Sequence, residues 1–98
     1  MYYSKKEYTF IKFMKSDKKD KKYYALLKNK KTGKEKKIYF GGIKKDGTPY
    51  DQYKDNVLGY YSKYNHLDKT RRLRYINRHK NDINKEYSSS WFSLKFLW

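Results

Sequence analysis

Aromatic rings and positive charge are crowded into one short chain, and that conflict limits what it can become. Of 98 residues, 13 are Tyr, 5 Phe and 2 Trp, while charged residues make up 37% and the net charge is +16. Such a charge load by itself points to disorder, but disordered chains are poor in aromatics. Rings in this number have to be buried or stacked. The composition therefore reads as a folded module with a strongly basic surface, one domain over 1–98 with residues 1–7 expected to be flexible. A chain this short buries only about 60–65% of its unfolded surface, enough for one modest core and not for a deep cleft between two lobes. There is no Cys, which excludes disulfides, thiolate zinc sites and a Cys nucleophile. No run of about 18 apolar residues is present to span a membrane, and the segment from Met1 to Lys6 lacks the apolar stretch of a secretory signal. These features read as an intracellular protein or one packaged inside a particle.

In the first half the apolar residues come in strand-length runs. Tyr8 to Lys15 is rich in strand formers. Ser16 to Lys22 is a polar connector, and Tyr23 to Leu27 is a second apolar run. Lys36 to Phe40 is a third, with Ile38 and Phe40 on one face and Lys37 and Tyr39 on the other. Thr32-Gly33 supplies a turn. The pattern predicts a hairpin or a three-stranded antiparallel meander. Gly41-Gly42 reads as its end. Asp46-Gly47-Thr48-Pro49 reads as a turn in which Gly47 permits φ > 0 and Pro49 stops pairing. Residues 50–65 read as a loop or a short helix interrupted near Gly59.

The second half reads as helical. Asp68 is placed to cap a helix from Lys69 to about Asn81. At about 100° per residue, Arg71, Arg74 and Arg78 fall within about 60° of one another, with Tyr75 beside them. Leu73 and Ile76 project to the opposite side, the expected core-facing side. Ser88-Ser89-Ser90 is placed to cap a final helix from Trp91 to Trp98, apolar nearly all round and so expected to be buried. The fold class is α+β, a small antiparallel sheet of two to three strands followed by two to three short helices. A domain this small is expected to lack interior surface for Trp91, Phe92, Leu94, Phe96, Leu97 and Trp98 together. Part of the segment is therefore expected to meet a second chain, giving a homodimer through Trp91, Leu94, Leu97 and Trp98.

The charge predicts attraction to a polyanion, nucleic acid first, with an anionic membrane surface as the rival. Residues 1–45 hold 16 Lys against Glu7, Asp17, Asp20 and Glu35, whereas residues 46–98 hold 6 Lys and 4 Arg against 6 acids. Every Arg lies between Arg71 and Arg78. Lys supplies a hydrated point charge, and Arg a planar fork that grips phosphate at two points. The candidate nucleic-acid contacts are Arg71, Arg72, Arg74, Arg78, Tyr75 and His79 on the helix, and Lys28, Lys30, Lys31, Lys34, Lys36 and Lys37 around the hairpin turn. The competing reading of the Arg stripe is a solvated face paired with acids such as Asp68 or Asp82. That of the Lys runs is solubility, for which a net charge of about 2–8 suffices. Tyrosines interleaved with Lys read mostly as core packing, with stacking on unpaired bases as their other use.

Catalysis has little to stand on. His66 and His79 are the only histidines and bring no third metal ligand. The acid pairs Asp17/Asp20 and Asp51/Asp55 lie in Lys-rich stretches and read as solvated. No nucleophile elbow, phosphate loop or metalloprotease motif is present. The chain is expected to be no enzyme, with no metal, cofactor or small-molecule substrate.

Taken in order, Phe40-Gly41, then Arg71-Arg72-Leu73-Arg74-Tyr75-Ile76-Asn77-Arg78-His79, then Leu97-Trp98 resemble a family of small basic proteins encoded by large nucleocytoplasmic DNA viruses of algae and amoebae. That family shares a Lys-rich hairpin ending in Phe-Gly and an Asp-containing linker. An Arg-Arg-x-Arg-Tyr-Ile-x-Arg-His helix follows, then a Ser-rich segment leading to Leu-Trp. The resemblance covers about residues 22–98 and is most specific from Arg74 to His79; the hairpin is generic. The family often continues past Leu-Trp with a basic tail, whereas this chain stops at Trp98, and residues 1–21 look like an addition. The resemblance implies a virion-associated protein that binds or compacts the viral genome, found in the virion interior and in the host cytoplasm or nucleus during infection. It adds a class rather than a mechanism. The expectation is a non-enzymatic, largely sequence-independent double-stranded DNA-binding protein involved in genome packaging. The alternatives are an RNA- or single-strand-binding module using exposed Tyr faces, and a structural capsid-lining virion protein.

Overall fold

The computed structural model of the chain describes residues 3–98. Three strands come first, β1 (Tyr8–Lys15), β2 (Lys21–Asn29) and β3 (Glu35–Gly42), paired antiparallel in the order β1-β2-β3. Two helices follow, α1 (Lys69–Arg78) and α2 (Ser89–Phe96), with 3₁₀ turns at Ser62–Tyr64 and Lys80–Asn84. This is the expected small α+β fold. Within the segment 1–7, Met1 and Tyr2 lie outside the described residues. Tyr3 donates its N–H to the Glu86 carbonyl at 3.1 Å and sets its ring edge-on to Tyr8. Among the described residues no helix is long and apolar enough to cross a membrane.

Strand alternation sorts the side chains onto two faces. Tyr23, Ala25 and Leu27 of β2 face the core with Ile38 and Phe40 of β3 and Phe10 and Phe13 of β1. Phe10 and Phe13 are three apart and share a face because the register shifts between Phe10 and Lys12, a bulge that turns Ile11 out to 44% exposure. The other face carries three rows across the sheet: Met14, Tyr24 and Tyr39; Lys12, Leu26 and Lys37; Thr9, Lys28 and Glu35. None of these nine residues is buried.

The sheet does not end at Phe40, as the glycine pair suggests, but runs through Gly42. Gly41 sits at φ +78°, where a Cβ would come within 3.0 Å of Lys22 Cβ and 3.1 Å of Leu97 Cδ1. Only glycine fits both the conformation and the space. The strand twists there and lets α2 close over it.

Helix α2 starts two residues before the expected Trp91, capped by Ser88, whose Oγ accepts from the Trp91 N–H at 3.1 Å. Its rings interlock with those of the sheet. Phe92 stacks on Phe40 at 5.4 Å and on Tyr87 at 5.7 Å, and Phe13 meets Phe96 edge-on at 4.8 Å. The single chain thus has the interior that the sequence argument denied it. Trp91, Leu94 and Leu97 are all buried within one chain, and Trp98 is half-buried. Of the four residues expected at a homodimer contact, only Trp98 keeps part of its ring exposed.

The 26-residue stretch between β3 and α1 has only one turn of 3₁₀ helix, so its backbone needs other partners. A buried polar chain supplies them. Lys22 Nζ donates to the Tyr50 carbonyl at 2.6 Å and to Gln52 Oε1 at 2.5 Å. Gln52 Nε2 donates to the Tyr61 carbonyl and to Asn65 Oδ1. Asp55 accepts from the N–H groups of Val57, Gly59 and Tyr61 and from the Tyr23 hydroxyl at 2.6 Å. Asp55, expected to be solvated, is 8% exposed. Burial, followed by the bond to Asp55, pushes the Tyr23 hydroxyl well above the ordinary phenol range. Burial pushes the Lys22 ammonium down to about 8.

Candidate nucleic-acid interface

Helix α1 begins as expected, with Asp68 Oδ1 accepting from the N–H groups of Thr70 and Arg71. It ends three residues sooner than expected, at Arg78. No residue of α1 is buried, and Leu73, expected against the core, is 61% exposed. The helix docks instead through Tyr75, which stacks on Trp98 with ring centroids 4.2 Å apart and planes 4° from parallel. His79 covers Tyr75 at 4.4 Å, and Arg72 Nε donates to the main-chain oxygen of Trp98 at 2.7 Å. On a wheel the docking group Tyr75, His79 and Arg72 lies about 70–130° round from the middle of the Arg stripe. The stripe therefore does not oppose the packed face; it borders it.

That rotation puts Arg71, Arg74, Asn77 and Arg78 around an open depression of about 530 Å³ with Trp98 at its side. A second groove of about 450 Å³ shares Arg71, Arg78 and Trp98 and continues past Lys44, Tyr50 and Asp51 to Gly41. The two form one basic trough between α1 and the Gly41 end of the sheet. The acids expected to neutralise the stripe are occupied elsewhere. Asp68 caps the helix, and Asp82 pairs with His79 at 3.1 Å and Lys85 at 3.2 Å. Arg71 approaches Asp51 at 3.8 Å, an exposed pair worth about 0–1 kcal/mol. Among the described residues no carboxylate stands within ion-pair distance of Arg74 or Arg78.

The expected site residues divide into three groups. Arg71, Arg74 and Arg78 come together in the trough. Arg72, Tyr75 and His79 anchor the helix: Arg72 lies over Tyr53 at 4.9 Å, both neighbours of Tyr75 are rings of this chain, and His79 faces Asp82. Burial pushes the Tyr75 hydroxyl upward. Lys28, Lys30, Lys31, Lys34, Lys36 and Lys37 are all exposed, at the far end of the hairpin. Six residues of strand, about 20 Å, separate Lys28 from Lys22 at the trough. Lys30 is tied to the Lys5 carbonyl at 2.9 Å and Lys37 stands 3.8 Å from Asp17. Sequence reasoning missed Asn77, Lys44 and Trp98 as trough residues. Asn77 was within reach, being one turn from Arg74 on the same flank; Lys44 and Trp98 are brought in only by the tertiary fold.

His66 contributes to the wall behind the trough. Its Nδ1 accepts from the Asp68 N–H at 2.9 Å, and its ring lies between Tyr53 and Trp98. Burial, then the nearby Arg71 charge, hold it below the usual imidazole range. The tyrosines depart from expectation as well. Tyr23 and Tyr87 are buried, and Tyr3, Tyr8 and Tyr61 pack on the core, but Tyr24, Tyr39, Tyr50, Tyr53, Tyr60, Tyr64 and Tyr75 lie outside it. Core packing therefore does not account for most of them. Comparison of the chain with protein-family models, with curated proteins and with solved structures returned no match.

Proposed function

We propose that the chain is a non-enzymatic protein that binds double-stranded DNA through its phosphates, largely without regard to sequence. One observation carries this reading: among the described residues no carboxylate pairs with Arg74 or Arg78, which stand beside Arg71 along an open trough. Guanidinium forks held by a capped helix are suited to phosphate oxygens. The stripe faces the junction between helix and body rather than the outward crest of α1, where Leu73 sits. A helix laid in the major groove would present its crest to the bases; this one offers its flank to a backbone. Lys44, exposed at the trough, adds a further charge. Phosphate binding by the trough does not itself call for a second chain, since every residue lining it belongs to one. Association with a virion and a part in genome packaging rest on the resemblance of Arg71 to His79 to the viral family, and are proposed with it.

The test replaces Arg71, Arg74 and Arg78 together by Gln. None of the three is buried, so the circular dichroism spectrum should be unchanged. Duplex affinity in a mobility-shift titration should fall about tenfold or more. Unchanged affinity in the folded variant would return the stripe to a solvated face.

A further inference from the structure

The helices pack on one side of the sheet; on the other, the long loop covers Lys22 at the Gly41 end and leaves the rows beyond it open. Its centre is a pair of rings. Tyr24 of β2 and Tyr39 of β3 are direct cross-strand partners with ring centroids 5.4 Å apart, in line with Met14 of β1. The next row sets Lys12 and Lys37 on either side of Leu26, and Lys28 follows in the third. The Tyr39 hydroxyl donates to Asp17 Oδ1 at 2.6 Å, which fixes that ring before any ligand arrives. Two ammonium groups rest over the rings, Lys37 Nζ 5.0 Å from the centroid of Tyr24 and Lys18 Nζ 4.2 Å from that of Tyr39. The acids of this face are Asp17 and Glu35, fewer than Lys12, Lys18, Lys28 and Lys37, so it keeps a positive balance.

We propose that this face is a second nucleic-acid site, one that binds a single strand by stacking its unpaired bases on Tyr24 and Tyr39. An open sheet with aromatic residues on neighbouring strands offers flat surfaces that paired bases, hidden in a duplex, do not reach. A lysine over an exposed ring is a weaker contact than a base stacked on it. A base therefore displaces Lys18 and Lys37 from the rings, and the freed ammonium groups meet the phosphates beside that base. The strand's charge matches the surplus of Lys, and its bases match the row of Met14, Tyr24 and Tyr39 that a purely ionic ligand leaves uncovered. This site does not depend on the Arg trough, which lies at the Gly41 end of the sheet.

Fluorescence anisotropy of the full chain with labelled oligothymidylate, an abasic oligomer of equal length and a duplex tests it. The base-bearing strand should bind about tenfold or more tightly than the abasic one, and Tyr24→Ala with Tyr39→Ala should abolish that difference while leaving duplex affinity unchanged. Both rings are only partly buried, and a thermal melt checks the variant's fold. The comparison of base-bearing with abasic strands needs no variant at all. Equal binding of the two strands by the unaltered protein would overturn the proposal, as would a folded double variant that keeps the preference. Equal loss of duplex binding in that variant would also overturn it. So would loss of binding to phosphatidylserine vesicles with oligonucleotide binding intact, which would make the face a lipid surface. Failure of the Arg71/Arg74/Arg78 variant to lose duplex binding would count against the trough alone.

Discussion

Lys22 shows how far a single residue can depart from the company it keeps in sequence. It stands in a run of Lys and Asp that reads as a solvated turn, yet it is 1% exposed and donates to Tyr50 and Gln52. Burial is the main reason its ammonium titrates at about 8 rather than 10.5. The folded chain then gives up this proton before the unfolded chain does. Between about 8 and 10.5 the unfolded state binds more protons, so stability should rise with pH, by at most about 1.4 kcal/mol per unit. Below about 8 both states are charged and the cost of burial is present in full. Tyr23 works in the opposite sense above about 10, because its hydroxyl is held protonated in the fold. Urea melts from pH 8 to 10 should show the rise in the natural chain and a flatter profile in Lys22→Met. Equal profiles would mean that Lys22 is hydrated. Asp55 is the companion case. Asp55→Ala removes the acceptor of three backbone N–H groups and the Tyr23 hydroxyl, and should cost about 3–5 kcal/mol. Neither residue was legible in the sequence, because nothing local marks one lysine or aspartate among many as the one a distant loop will cover.

At the scale of elements the sequence is more informative. The three strands follow from runs of strand formers, and the caps Asp68 and Ser88 from their place before helical patterns. Asp68→Ala should destabilise by about 1 kcal/mol and loosen the Arg stripe with the helix, visible as lost helical ellipticity. The grouping of Arg71, Arg74 and Arg78 was legible from spacing alone. The direction in which the group points was not. A wheel ranks Leu73 and Ile76 as the buried side because they are aliphatic, but only Ile76 is half-buried, and the helix docks chiefly through Tyr75 on Trp98. That contact joins residues 75 and 98, beyond the reach of any periodicity. The C-terminal segment misled for a related reason. Its rings seem too many for a small interior until those of the sheet interlock with them. Gly41→Ala would set a Cβ against Lys22 and Leu97 at positive φ, and should lower stability by about 1–3 kcal/mol. A loss below 0.5 kcal/mol in a urea melt would show that the strand end relaxes.

Across the whole molecule the charge falls into patches with different surroundings. The trough gathers Arg71, Arg74, Arg78 and Lys44 at one end of the sheet, and the Lys-rich turn projects from the other. Between them the open face sets lysines beside rings. A uniform shell of charge for solubility would not gather Arg74 and Arg78 in a concave site where, among the described residues, no carboxylate pairs with either. The salt dependence of duplex binding separates the two accounts most directly. About four phosphates held in the trough give a slope of log K against log salt near −4, the same for unrelated duplex sequences. Replacing Arg71, Arg74 and Arg78 by Gln should take about 2.7 from that slope. A folded variant with the slope and affinity of the natural chain, or a natural chain whose binding ignores salt, would contradict the account.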